Sequence, residues 1–245
     1  MSHNSFEIIE GAFVVSDAHY SHIRPDFLYF LKDIDSNKLQ PTQLILMGDI
    51  FDTLFRQLPY TQQINREAIN ILNAISLKIE VFYLEGNHDF NLKKIFPKII
   101  VYPLTVQPLS CRYKGKTILL AHGDFGTDLK YKIYTSIIRN PMVLTFLRVI
   151  DSMLGGYILK KLDIYLSKKD DCKEFRGFKE FIDKRLNNKF DCDYFIEGHY
   201  HQNKIFNFEN FIYINLGAFA CNQRFFIVKS SQLELLEENI FSKER

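Results

Sequence analysis

The segment Leu44-Ile45-Leu46-Met47-Gly48-Asp49-Ile50-Phe51-Asp52 is where the fold declares itself. Four apolar residues in a row, closed at once by a glycine, suit a short strand buried on both faces better than a helix. The glycine permits a tight turn, and the turn presents a carboxylate. Upstream, Ala12 to Val15 repeats the pattern and runs into Asp17-Ala18-His19. Downstream, Ile79 to Leu84 runs into Gly86-Asn87-His88-Asp89. Helical periodicity fills the gaps, over Asp26 to Ile34 and over Thr61 to Leu77. Strands alternating with helices in this way predict an α/β layered fold with parallel pairing in part of the sheet.

The same sentence is spoken twice more. Lys116 to Ala121, after the turn signal Lys114-Gly115, leads into Ala121-His122-Gly123-Asp124; Tyr194 to Ile196 leads into Gly198-His199-Tyr200-His201. Further strands are expected at Lys204 to Phe208, Phe211 to Ile214 and Phe225 to Val228. Between Asp128 and Asn188 strand signals vanish and helical periodicity takes over, punctuated at Asn140-Pro141 and Gly155-Gly156. One domain over 1–245 is expected, with a helical insertion over about 128–188.

Composition bounds the partners. With 47% hydrophobic and 24% charged residues, the 245-residue chain is ordinary globular material. Its 23 Phe and 13 Tyr are enough for a thick core or for a site that accepts something greasy. A formal net charge of +2 makes no case for nucleic acid, and nothing implies a protein partner. Between Lys130 and Arg185, however, 13 Lys/Arg face 7 Asp/Glu, a local +6 that leaves −4 for the rest. Solvated basic faces on amphipathic helices explain this, and so does a basic, partly apolar cap over an acidic centre. Cys111, Cys172, Cys192 and Cys221 form no CxxC pair, so reduced, buried thiols are expected. The first residues have neither a basic nor an apolar leader region, and no run of about 18 apolar residues occurs, so a cytoplasmic protein is expected.

The five motifs place carboxylates, imidazoles and an amide at carboxyl-terminal strand ends, where open α/β sheets bind ligands. Five of the seven histidines fall inside them, leaving only His3 and His22 outside. Singly, each motif is weak, because a lone buried histidine is more often a hydrogen-bonded core residue. Together, in order and each after a strand, they read as metal ligands. Two divalent ions about 3.5–4 Å apart need a shared anionic ligand, which a carboxylate such as Asp49 supplies. Mixed Asp, His and Asn donors suit Mn²⁺ first, with Fe²⁺ and Zn²⁺ also fitting. Their combined charge would lower the pKa of a bound water and give hydroxide at neutral pH.

The motif set resembles the calcineurin-like metallophosphoesterase superfamily, from Asp17 to about Leu216. The resemblance implies a four-layer α-β-β-α sandwich. It implies one metal on Asp17, His19 and His201, a second on Asn87, His122 and His199, and Asp49 bridging the two. His88 is implied to be a catalytic, non-ligand histidine facing the scissile phosphate, oriented by Asp52. Asp89 and Asp124 read as supporting groups. The arginine-bearing motifs of the protein phosphatases are missing around Gly48-Asp49-Ile50-Phe51-Asp52-Thr53 and Gly86-Asn87-His88-Asp89.

The segments Gly48 to Asp52, Asn87 to Phe90, His122-Gly123-Asp124 with Thr127-Asp128 and Tyr131, and Gly198 to His201 with Leu216-Gly217-Ala218 resemble the UDP-2,3-diacylglucosamine pyrophosphatases of lipid A synthesis. His88 stands where the best-known group of that family has Arg, so a divergent branch is implied. In that family the helical insertion is a lid for acyl chains. The substrate contacts implied here are Asn87, His88, Asp128, Tyr131, Arg139 and His199. The lid sequence fits an apolar trough, with Met142, Phe146, Leu147, Val149 and Met153 among others, interrupted by Arg139, Arg148 and Asp151. The expected partners are therefore a lipid-linked nucleotide diphosphate and an anionic inner-membrane surface, met peripherally from the cytoplasmic face. A soluble nucleotide phosphodiesterase or dinucleotide polyphosphate hydrolase is the alternative enzyme, and a non-catalytic scaffold on the same fold is the alternative outside catalysis.

Overall fold

The computed structural model describes residues 6–125, 129–168, 171–186, 189–229 and 235–242. In chain order the first half contains β1 (Phe6–Glu7), β2 (Phe13–Val15), α1 (Asp26–Asp35), β3 (Gln43–Leu46), β4 (Leu54–Phe55), α2 (Pro59–Ile64), α3 (Arg66–Ile75), β5 (Glu80–Leu84), β6 (Asp89–Phe90) and β7 (Ile100–Tyr102). There follow β8 (Leu109–Tyr113), β9 (Lys116–Ala121) and four helices, α4 (Leu129–Arg139), α5 (Pro141–Met153), α6 (Tyr157–Ser167) and α7 (Phe178–Leu186). The chain closes with β10 (Tyr194–Glu197), β11 (Lys204–Asn207), β12 (Ile212–Asn215), α8 (Phe219–Asn222), β13 (Arg224–Val228) and β14 (Leu236–Ile240).

Two six-stranded sheets form, in the orders β14-β13-β2-β3-β5-β7 and β1-β8-β9-β10-β12-β11. The strands that lead into the motifs pair in parallel, β2 with β3 and β3 with β5 in one sheet, β9 with β10 in the other. Alternate residues along them point into different cores. Val14, Ile45, Met47, Phe82 and Leu84 meet Ile118, Leu120, Ile196 and Ile214 between the sheets. Their neighbours Phe13, Val15, Leu44, Leu46 and Val81 pack outward against Phe27, Leu31 and Leu72 of α1 and α3. On the far side, Ala121, Phe195 and Tyr213 pack against Phe178, Ile182 and Leu186 of α7. The result is the four-layer α-β-β-α sandwich, and burial of both sheet faces explains why its central strands read as continuous apolar runs.

The helical block divides by where it packs. Helix α7 is an outer layer of the sandwich, whereas α4 to α6 pack on the body through Leu144 and Leu159, set among Phe55, Leu58 and Phe90, and through polar contacts of Arg139 with the Gly86 carbonyl and of Arg24 with the Leu166 carbonyl. Leu147, which the sequence places in the trough, is partly buried in this same contact. The break at Asn140-Pro141 is a helix start: the Asn140 side chain accepts from the Met142 and Val143 amides, with proline at the first helical position. The single helix expected over Thr61 to Leu77 is two, because Asn65 turns inward and donates to the carbonyls of Thr53 and Thr61, each at 2.8 Å.

One expectation is overturned. Cys172 and Cys221 are disulfide-bonded, tying the segment after α6 to α8; Cys111 and Cys192 are the buried free thiols. Their separation of 49 residues gives no sequence signal, because only the fold brings the two segments together.

Candidate metal centre

All five motif loops emerge at carboxyl ends of parallel strands and converge. Asp17, His19, Asp49, His199 and His201 all take positive φ, between 44° and 64°. A non-glycine residue pays about 1 kcal/mol or more for this, so it persists only where surroundings enforce it. Here they do. The amides of Asp17 and His19 donate to the carbonyls of Gly48 and Asp49 at 3.1 and 3.0 Å, and the His199 amide donates to Asp17 Oδ2 at 2.9 Å. Asp89 ties the loops from beneath, accepting from the amides of Asp49, Ile50, Phe51 and Gly86 and from Tyr83 Oη at 2.6 Å. Gly86 and Gly198 are required by crowding, since a Cβ on either would overlap the carboxylate of Asp49 or Asp17 respectively.

The donor atoms fall into groups. Asp17, His19 and His201 bring one ligand atom each within 4.8 Å of one another, and so do Asp49, His122 and His199. Asn87 joins the second group, with Oδ1 3.3 Å from His122 Nε2. A third group, His19, Asp52 and His88, meets the same distance criterion and adjoins the first through His19. The seven expected ligands are thus brought together in one place.

Each ring is oriented from behind. His122 Nδ1–H donates to the Met47 carbonyl at 3.0 Å, leaving Nε2 facing Asp49 at 3.4 Å. His201 Nδ1–H donates to the Asp171 carbonyl, leaving Nε2 3.0 Å from Asp17. His19 Nδ1 lies 3.2 Å from the Asp52 carboxylate, and its buried Nε2 has no hydrogen-bond partner among the described residues. An imidazole fixed through one nitrogen with the other turned to a carboxylate cluster is the arrangement of a metal ligand. The acids and imidazoles are also coupled electrostatically. Burial opposes charge on Asp17 and Asp49, yet the neighbouring histidines, His201 and His122 respectively, hold both carboxyls well below the usual range. Burial and the His122 charge push His199 down to about 3, leaving it a neutral donor; His201, despite burial, is carried up to about 9 by Asp17. Ionised carboxylates and oriented imidazoles fit divalent cations of the borderline class.

His88 hydrogen-bonds through Nδ1 to the main-chain carbonyl of Asp52 at 2.9 Å and meets the His19 ring edge-on, 5.0 Å between centroids. Asp52 therefore supports His88 by its backbone while its carboxylate supports His19. Of the expected substrate contacts, Asp128 lies outside the described residues and Tyr131 falls within α4. Arg139 is already engaged: it donates to the Gly86 carbonyl at 2.8 Å, reaches Asp124 at 3.4 Å and lies over the Phe90 ring, clamping α4 to the Asn87 loop.

Two ion pairs escaped the sequence reading. Arg24 bonds Asp171 at 2.6 Å and approaches Asp52 at 4.0 Å, bridging the His19 loop to the segment behind His201. Arg185 of α7 meets the fully buried Glu197 through two bonds of 2.6 and 2.7 Å and also donates to the Gly123 carbonyl. Glu197 did carry a signal, because an acid ending an apolar strand demands a buried partner.

Over residues 12–203 the chain matches the model of the calcineurin-like phosphoesterase family, and it belongs to that family of metal-dependent phosphoesterases. It is 23% identical over 198 residues to the UDP-2,3-diacylglucosamine hydrolase of Psychromonas ingrahamii, covering 77% of this chain and 79% of that one. To the protein of the same name from Pseudomonas fluorescens it is 30% identical over 153 residues, covering 61% of each. Among solved structures, Yfce, a phosphoesterase from E. coli, is similar over 89% of this chain and 88% of that one, with 12% identity and a TM-score of 0.49.

Proposed function

We propose that the protein cleaves the diphosphate of UDP-2,3-diacylglucosamine to UMP and 2,3-diacylglucosamine 1-phosphate. The observation that carries this reading is an apolar surface beside a phosphoesterase centre. Met142, Phe146 and Met153 of α5 are 80%, 68% and 81% exposed, and Ile133, Ile137, Val143 and Val149 are exposed as well. A patch of this kind on α4 and α5 calls for a lipid or a membrane. Arg148 on α5 and Lys160 and Lys161 on α6 supply charge for an anionic bilayer. No single described helix is long and apolar enough to span a membrane, and α5 and α6, which pass together, bend by 108°. A peripheral position suits that geometry better than insertion.

Asp17, His19 and His201 would hold one divalent ion and Asn87, His122 and His199 the other, with Asp49 shared; Mn²⁺ suits this donor set best. Bound there, the ions supply charge neutralisation at the diphosphate and a water ionisable at neutral pH. The chain's own part is positioning. His88, tied through Nδ1 to the Asp52 carbonyl, would face a phosphoryl or leaving oxygen. The described Arg139 and Asp89 contacts hold the Asn87 loop against the lid and the floor. A soluble diester would need no exposed apolar helices, which favours the lipid substrate over the soluble alternative. Incubation with UDP-2,3-diacylglucosamine and Mn²⁺ should release UMP and the lipid 1-phosphate. Hydrolysis of bis-p-nitrophenyl phosphate with no UMP from the lipid would contradict the assignment.

A further inference from the structure

Beside the metal centre lies an open cavity of about 770 Å³ walled by His199 and His201 and by the segment that returns from the lid. We infer that this cavity is the subsite for the nucleoside half of the substrate, the base and its ribose. The inference rests on the function proposed above, because it assigns one half of the same diphosphate ester.

Three features point to it. First, two walls of the cavity are expected metal ligands, so a group seated there is continuous with a phosphate at the ions. Second, its lining mixes chemistries that a hydrocarbon chain could not satisfy. Lys173, Glu174, Arg176 and Gln202 surround the rings of Phe175 and Tyr200. An acyl chain would desolvate those charges without replacing their hydrogen bonds. A base offers a π-face to the rings, and a base and ribose offer donors and acceptors to the charges. The volume lies within the range of small-molecule sites, roughly 300–1,000 Å³.

Third, the walls are fixed in advance. The Phe175 amide donates to Gln202 Oε1 at 2.8 Å, Gln202 Nε2 donates to the Lys173 carbonyl at 3.1 Å, and the Gln202 amide donates to Asn215 Oδ1 at 2.8 Å. Tyr200 is set by its hydroxyl, which donates to the Gly123 carbonyl at 3.1 Å, and by the Arg185 guanidinium over its ring. The Cys172–Cys221 bridge anchors the segment at its start. Phe175 nevertheless remains 38% exposed, with its ring held 5.5 Å from that of Phe178. A half-exposed aromatic on a clamped segment is a stacking platform.

The test compares two inhibitors with the same phosphate, UMP and methyl phosphate, against Mn²⁺-loaded protein hydrolysing bis-p-nitrophenyl phosphate. UMP should bind at least about tenfold more tightly, in line with stacking on an aromatic face. In Phe175→Ala that preference should fall to near unity, Phe175→Tyr should restore it, and Arg176→Gln should reduce it. Loss of preference in Phe175→Ala while its melting temperature stays close to wild type excludes misfolding as the cause. An unchanged preference in both Phe175→Ala and Arg176→Gln would overturn the subsite. The outcome is separable from the function itself. Wild-type cleavage of the lipid substrate with no Phe175 dependence of the preference rejects the subsite alone. A Phe175-dependent preference without lipid cleavage rejects the lipid substrate and keeps a nucleotide subsite.

Discussion

The metal loops and the lid helices solve opposite problems with the same chain. In the loops, Asp17, Asp49, His19 and His122 are buried, several in left-handed backbone, and neighbouring loops are interlocked by main-chain hydrogen bonds. In the lid, α5 buries Leu144 and Asp151 but leaves Met142, Phe146 and Met153 in the open. Phosphoryl chemistry needs ligands held to a fraction of an ångström, so the loops are over-determined. Under the proposed function, acyl chains call for area and adaptability, which an exposed helix face carrying Met142, Phe146 and Met153 would provide. The two regions meet at few points, chiefly Arg139 on the Gly86 carbonyl and Leu144 and Leu159 in the body. That contrast says that damage to a loop should abolish all activity, whereas damage to the lid should be selective.

The largest effect should come from the loops. Asp49→Ala should abolish turnover and remove most bound metal, read by elemental analysis beside activity; two ions per chain with near-normal turnover would remove Asp49 from the centre. Next is His88→Asn. With His19 and Asp52 intact, metal content should hold while kcat falls roughly 10²–10⁴-fold; loss of metal would make His88 a ligand. Smaller and selective is Phe146→Asp, which charges the exposed face of α5. It should lower kcat/KM for the lipid substrate about tenfold more than for bis-p-nitrophenyl phosphate, since losing apolar surface that an acyl chain would cover costs on the order of 1–3 kcal/mol. Equal losses on both substrates would erase the distinction between the regions. Smallest in activity is Cys221→Ser, which should cost about 2–4 kcal/mol of stability. Its check is a lowered melting temperature that a thiol reductant reproduces in the wild-type chain and does not add to in the variant.

The same contrast governs what the sequence discloses. Gly48-Asp49 and Gly198-His199 could be read because a strand ending in glycine and a ligand is a local pattern, and the fold only had to bring such ends together. The shared core was legible for the same reason: Leu44 to Met47 and Phe82 to Leu84 are apolar on both faces because both faces are covered. What sequence could not supply was contact between distant segments. Asp52 serves His19 by its carboxylate and His88 by its carbonyl, and nothing local distinguishes these roles. Arg139 reads as a free cation beside a phosphate site, but a helix C-terminus held by Asn91 delivers it to Gly86. Helix α7 has the periodicity of a lid helix, and only Phe195 and Tyr213 beneath it make it a layer of the sandwich. Leu147 looks like a trough residue because periodicity does not say which of two apolar faces meets the body. The two-residue strands β1, β4 and β6 are too short to carry any period.

The most direct measurement of the link between the two regions is the ratio of kcat/KM for UDP-2,3-diacylglucosamine to that for UDP-glucosamine, under one Mn²⁺ concentration and below the solubility limit of the lipid. Both substrates offer the same diphosphate and the same nucleoside, so they differ only in the acyl chains and in the 2-amino charge that acylation removes. Each methylene buried against the lid is worth about 0.8 kcal/mol, so even four of them should favour the acylated substrate at least about 10²-fold. A ratio near one would contradict a lipid-binding lid and leave a phosphodiesterase whose helices merely cover the sandwich.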